Sequence, residues 1–103
     1  MAKDLGNEQF KLKNFEKAIE FYTQAIEENP SDQTILGNRS ASFHNLKRFT
    51  EAEADASKCI QMKPDWAKGY QRKAMALHGQ RNLEDAFEMY QKGLELDPNN
   101  AQI

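Results

Sequence analysis

The stretches AIEFYTQAIEENP at residues 18–30, AEADASKCIQMKP at 52–64 and AFEMYQKGLELDP at 86–98 restate one another at a spacing of 34 residues. Each opens on an alanine (Ala18, Ala52, Ala86) and closes on a proline (Pro30, Pro64, Pro98). Between them a small residue (Ala25, Cys59, Gly93) precedes a large aliphatic one (Ile26, Ile60, Leu94). Outward from these stretches the same period aligns Phe15, Phe49 and Leu83, then the small set Gly6, Ser40 and Ala74. A period of this length marks stacked supersecondary units, each too small to bury its apolar face without a neighbour. We therefore read residues 1–103 as one domain of three repeats, near 1–32, 33–66 and 67–100.

Within each unit the apolar residues recur at helical spacing, as in Phe15, Ile19, Tyr22 and Ile26. Two helices per repeat are predicted, the first near 2–12, 33–46 and 67–79, the second near 15–28, 49–62 and 83–96. Asn14 and Asn82 are candidate caps for second helices. Asn29-Pro30-Ser31-Asp32, Pro64-Asp65 and Asp97-Pro98-Asn99 should end one repeat and cap the next, because proline lacks the amide donor and restricts the residue before it. No strand-like alternation competes, so the expected class is all-α.

Composition narrows the function. Hydrophobic residues at 39%, charged residues at 29% and a net charge of -2 describe a globular chain with no overall attraction to nucleic acid or anionic membrane. No apolar run approaches the length of a membrane span, and residues 1–9 lack the apolar centre of a signal peptide. The lone Cys59 excludes an internal disulfide and, in its small column, reads as a packing residue; a cytoplasmic location fits. No Gly-rich phosphate loop, pair of catalytic acids or nucleophile with a base is visible, so the chain is expected not to be an enzyme and to need no cofactor.

Leu5-Gly6, Ala18 followed by Tyr22, and Pro30 resemble the consensus of the tetratricopeptide repeat (TPR) family over essentially the whole chain. The resemblance implies three stacked helical hairpins, a short right-handed superhelix, and a concave groove lined by the first helix of each repeat. Ala56 departs from it where an aromatic is favoured. Arg39 and Lys73 stand where the consensus favours leucine; their alkyl stems are expected to lie along the core with the charges in water.

On such a groove, helical spacing groups Lys3 with Asn7 and Lys68 with Arg72, with Asn38 between them. Lys73 would replace Arg72 if the last of these helices were rotated. Apart from Asp4 no acid is expected to intrude. Lysine and arginine offer only donors and asparagine amides can add more, so the fitting guest is an acidic chain end with closely spaced carboxylates. These five residues resemble, position by position, the carboxylate clamp of chaperone-binding TPR domains. The resemblance implies a partner: the Glu-Glu-Val-Asp tail of a cytosolic heat-shock chaperone. Gly37-Asn38-Arg39-Ser40-Ala41 and Lys63 to Tyr70 look most like the first TPR domain of the Hop or stress-inducible co-chaperone family, which implies the heat-shock protein 70 class first and the heat-shock protein 90 class second. Other readings are a regulatory domain of a larger enzyme, such as a phosphatase or prolyl isomerase, and a scaffold without a tail ligand.

Phe10, His44 and His78 form one more column on the same side. Phe10, Ala41 and His44 could receive a ligand side chain, or Phe10 could simply close the core. A His44/His78 metal site lacks further ligands. Trp66 and the methionines read as packing residues. The chain stops where Asn100-Ala101-Gln102 could begin a capping helix; without one, Leu83, Phe87, Leu94 and Leu96 would stay exposed and favour self-association.

Overall fold

The computed structural model describes residues 1–98, and the candidate helix start at Asn100-Ala101-Gln102 lies outside them. The six helices are α1 (Ala2–Lys11), α2 (Phe15–Glu28), α3 (Gln33–Asn45), α4 (Phe49–Met62), α5 (Ala67–Gly79) and α6 (Leu83–Leu96). They form three antiparallel hairpins. The alanine column forms a closely packed seam, with Ala18 and Ala52 fully buried and Ala86 at 3% exposure.

Each hairpin turns through one left-handed residue, Lys13 (φ 63°), Lys47 (φ 62°) and Arg81 (φ 67°), again 34 residues apart. The turn closes because the next amide reaches back five residues, from Asn14 to Gln9, Arg48 to Phe43 and Asn82 to Leu77, each at 2.9 Å. This bond satisfies a carbonyl that the helix end would leave open. Asn14 and Asn82 hold the N-cap positions of α2 and α6, but neither side chain makes a cap bond; the Asn82 amide donates to Asp85 instead. At α5 the N-cap is Trp66, not Asp65. Asp32 alone among these acts as expected, accepting from the Thr34 amide at 2.9 Å.

The contacts dictate the curvature. Every helix touches the next in sequence, and α3 also touches α1 on one side and α5 on the other. Among the described residues α2, α4 and α6 do not meet one another. First helices pinched together against second helices spread apart make α1, α3 and α5 the inner row.

Arg39 corrects the expectation of a charge left in water. Its guanidinium grips Asp55 on α4 with two bonds of 2.7 and 2.8 Å, and reaches Thr23 on α2 at 3.1 Å. The hydrogen bond to Asp55 raises its pKa against the opposing effect of burial. Lys73 carries no such pair among the described residues and borders a shallow cavity with Glu53, Gln80 and Asp85. Cys59 is fully buried, and burial pushes its thiol up to about 12, consistent with a packing role.

Candidate functional site

Two glycines admit the aromatic rings that shape the inner face. At Gly37 a Cβ would meet the Trp66 ring at 2.9 Å, so the ring rests directly on the α3 backbone. The same residue's carbonyl accepts from Arg72 Nε at 3.1 Å. Arg72 is thereby turned toward α3, while Lys73 faces the cavity beside Glu53; α5 is not rotated to exchange them. Burial lowers the Arg72 pKa, and among the described residues no carboxylate pairs with it. A half-buried cation without a counter-ion is costly, and the cost falls when an anion arrives.

At Gly6 the Tyr22 ring takes the place of a side chain; a Cβ there would meet it at 2.6 Å. The ring is 1% exposed, and its hydroxyl donates to Asn7 Oδ1 at 2.6 Å. Asn38 Nδ2 donates to the same oxygen at 3.2 Å, so the amides of α1 and α3 meet. Burial pushes the Tyr22 hydroxyl up to about 12, opposed by the Asn38 amide and the Arg72 charge. It therefore stays protonated and a donor.

Lys3 corrects the expectation that only Asp4 intrudes. Its ammonium lies 3.0 Å from Asp32 Oδ2, while Asp4 turns to the N-terminal amine of Met1 at 2.9 Å. Capping α3 places the Asp32 carboxylate at the mouth of the inner row. Burial works against its charge, but hydrogen bonds from Thr34 and Lys3 outweigh it and hold the carboxyl below its usual range. Lys68 is exposed and borders a cavity of about 460 Å³ with Thr34, Trp66 and Gln71.

The structure thus joins Asn7 to Asn38 and brings Arg72 onto α3, while Lys3 pairs with Asp32 and Lys68, without an ion pair among the described residues, shares its cavity with Asp65 and Asp97. Of the expected side-chain pocket, Ala41 is buried while Phe10 and His44 are half-buried. Phe10 meets Phe15 edge-on at 5.3 Å and leans on the core of Ala2, Ala18, Tyr22, Ala25 and Ile35. Ala41 is 4% exposed, and His44 lies 5.4 Å from the Phe49 ring with its Nδ1 buried and without a hydrogen-bond partner among the described residues. Burial, then the charges of Arg72 and His78, lower the His44 pKa. Among the described residues no three His, Cys, Asp or Glu groups gather in a metal-holding cluster, and no helix is long and apolar enough to cross a membrane.

A tetratricopeptide repeat model matches residues 3–32 and 67–100, and a second such model matches 34–65. The chain belongs to the tetratricopeptide repeat family. It is 44% identical over 101 residues to the Hsp70-Hsp90 organising protein of Plasmodium falciparum, covering 98% of this chain and 40% of that one. The TPR chain therefore spans less than half the length of the curated relatives it matches. The first TPR of Spaghetti (RPAP3) bound to the HSP90 peptide SRMEEVD superposes with a TM-score of 0.93 at 32% identity, covering 97% of this chain and 79% of that one. The second TPR domain of human RPAP3, in complex with the HSP70 peptide SGPTIEEVD, gives 0.91 at 30% identity, covering 98% and 84%.

Proposed function

We propose that the inner face of α1, α3 and α5 is a docking groove for the free carboxyl terminus of a cytosolic heat-shock chaperone. The observation that carries this reading is Arg72, held on α3 by the Gly37 carbonyl without a carboxylate partner among the described residues. Lys3, Asn7 and Asn38 would hold the terminal carboxylate, and Lys68 and Arg72 the aspartate side chain beside it. Each of these groups can donate, the asparagines through their NH2, and charge-assisted bonds from several of them fit two carboxylates a few bonds apart. The module holds and releases a tail, and no step in it is catalytic.

Both peptides bound by the similar RPAP3 domains end in Glu-Glu-Val-Asp, so the terminal aspartate is their common chemistry. The resemblance to the first Hop domain favours the heat-shock protein 70 class. The heat-shock protein 90 class is the second reading, favoured by the peptide in the Spaghetti complex. Competition between the two tail peptides separates them.

The deciding experiment is calorimetric titration with a Glu-Glu-Val-Asp peptide as free acid and as terminal amide. The free acid should bind at least about tenfold more tightly, since a hydrogen bond to a charged group is worth about 1.5–3 kcal/mol. Equal binding of the two would remove the carboxylate reading.

Asp32 adds a second expectation. It competes with the ligand for Lys3, and asparagine preserves the cap while removing the charge. Asp32→Asn should tighten the free-acid peptide by about two- to fivefold, the scale of an exposed ion pair. Weaker binding by this variant would mean that Asp32 chiefly orients Lys3.

A further inference from the structure

Asn7 is useful to an anion only if its amide presents NH2 and not oxygen, and nothing in the asparagine side chain itself chooses between the two. The choice is made from behind. Asn7 Oδ1 accepts from the Tyr22 hydroxyl at 2.6 Å and from Asn38 Nδ2 at 3.2 Å, while Asn7 Nδ2 donates to no group among the described residues. A flipped amide would set its NH2 against the Asn38 NH2 and leave the buried hydroxyl without its acceptor. Gly6 permits the arrangement, because any Cβ there would collide with the Tyr22 ring that carries the hydroxyl to Asn7.

We infer that Tyr22 is a positioning residue of the groove, fixing Asn7 with its amide donors toward a ligand carboxylate. The inference rests on the reading of the groove as a carboxylate site. Tyr22 is buried between α1 and α2, and its hydroxyl donates to Asn7, so its effect on a ligand passes through that amide and not through direct contact. Phenylalanine fills the same space without the hydroxyl, so the role can be separated from packing.

The test is a double-mutant cycle on Tyr22→Phe and Asn7→Ala, titrated with a synthetic peptide ending in Glu-Glu-Val-Asp as free acid and as terminal amide. Tyr22→Phe should weaken the free acid by about two- to tenfold and leave the amide unchanged, the scale of one neutral hydrogen bond. The double variant should bind no more weakly than Asn7→Ala, because both changes remove one coupled element. Wild-type affinity in Tyr22→Phe, or losses that simply add, would overturn the inference. A proton spectrum of the unliganded wild type gives an independent arm: the Tyr22 hydroxyl proton should be slow to exchange and close to Asn7, and its absence would overturn the positioning role whatever the peptides do. If wild type bound acid and amide alike, the groove reading would fall, and that spectrum would still decide whether Tyr22 sets the Asn7 amide.

Discussion

Arg72→Ala is expected to weaken a free-acid Glu-Glu-Val-Asp peptide by roughly 10- to 100-fold, since a hydrogen bond to a charged group is worth about 1.5–3 kcal/mol. Stability should change little. The guanidinium is already held at a cost, because burial lowers its pKa and its one hydrogen bond among the described residues goes to the neutral Gly37 carbonyl. Removing a half-buried cation without a counter-ion relieves that cost, so thermal unfolding should stay at or above the wild-type temperature. Arg72→Lys should recover only part of the affinity, because lysine restores the charge but not the planar fork that meets a carboxylate with two parallel bonds. Lys73→Ala is the control, since that side chain borders the cavity beside Glu53. Equal losses from Arg72→Ala and Lys73→Ala would indicate long-range attraction and not a built site. An unchanged Kd in folded Arg72→Ala would remove Arg72 from the groove.

How far this geometry can be read from residues alone depends on the distance over which each feature acts. The second helices fall where periodicity places them, at 15–28, 49–62 and 83–96, because an apolar stripe and a terminal proline are local signals. The helices α1 and α3 end one residue sooner than expected, at Lys11 and Asn45, since Leu12 and Leu46 already belong to the turn. The left-handed residues of those turns obey the same 34-residue period, but they are Lys13, Lys47 and Arg81. Glycine and asparagine are the usual markers of that backbone region, so the period was the only available clue.

Lateral contacts were less legible. Helical spacing already put Arg72 on the groove with Lys73 as its alternative, but the hold of Arg72 on the Gly37 carbonyl exists only because α5 lies against α3. Asp32 was legible as a cap, but its second oxygen meets Lys3 on α1, 29 residues away. Tyr22 was legible as a consensus aromatic. Its hydroxyl, the part that bears on the groove, finds Asn7 only because Gly6 lets the ring lie against α1.

The largest expected loss of stability follows from the pair that replaces a consensus leucine. Asp55 retains 9% of its side-chain exposure and Arg39 21%, and their two hydrogen bonds tie α3 to α4 while Arg39 also reaches Thr23 on α2. Asp55→Ala strands that cation between three helices. Breaking one side of a buried pair costs about 3–5 kcal/mol, and the remaining exposure of Arg39 puts the expectation near the lower end, about 3 kcal/mol. At about 4–8 °C per kcal/mol for a domain of this size, unfolding should move down by at least about 10 °C. Asp55→Asn should fall between, since the amide keeps one acceptor without the charge. Arg39→Leu combined with Asp55→Ala should recover much of the loss, because the stranded charge is gone and an apolar residue stands in the seam. Peptide affinity measured well below the transition should stay near wild type in all three, since the pair lies between α3 and α4 and away from Arg72 and Asn7. Melting of Asp55→Ala within a few degrees of wild type would show that water rescues Arg39 and that the three-helix tie contributes little to holding the hairpins together.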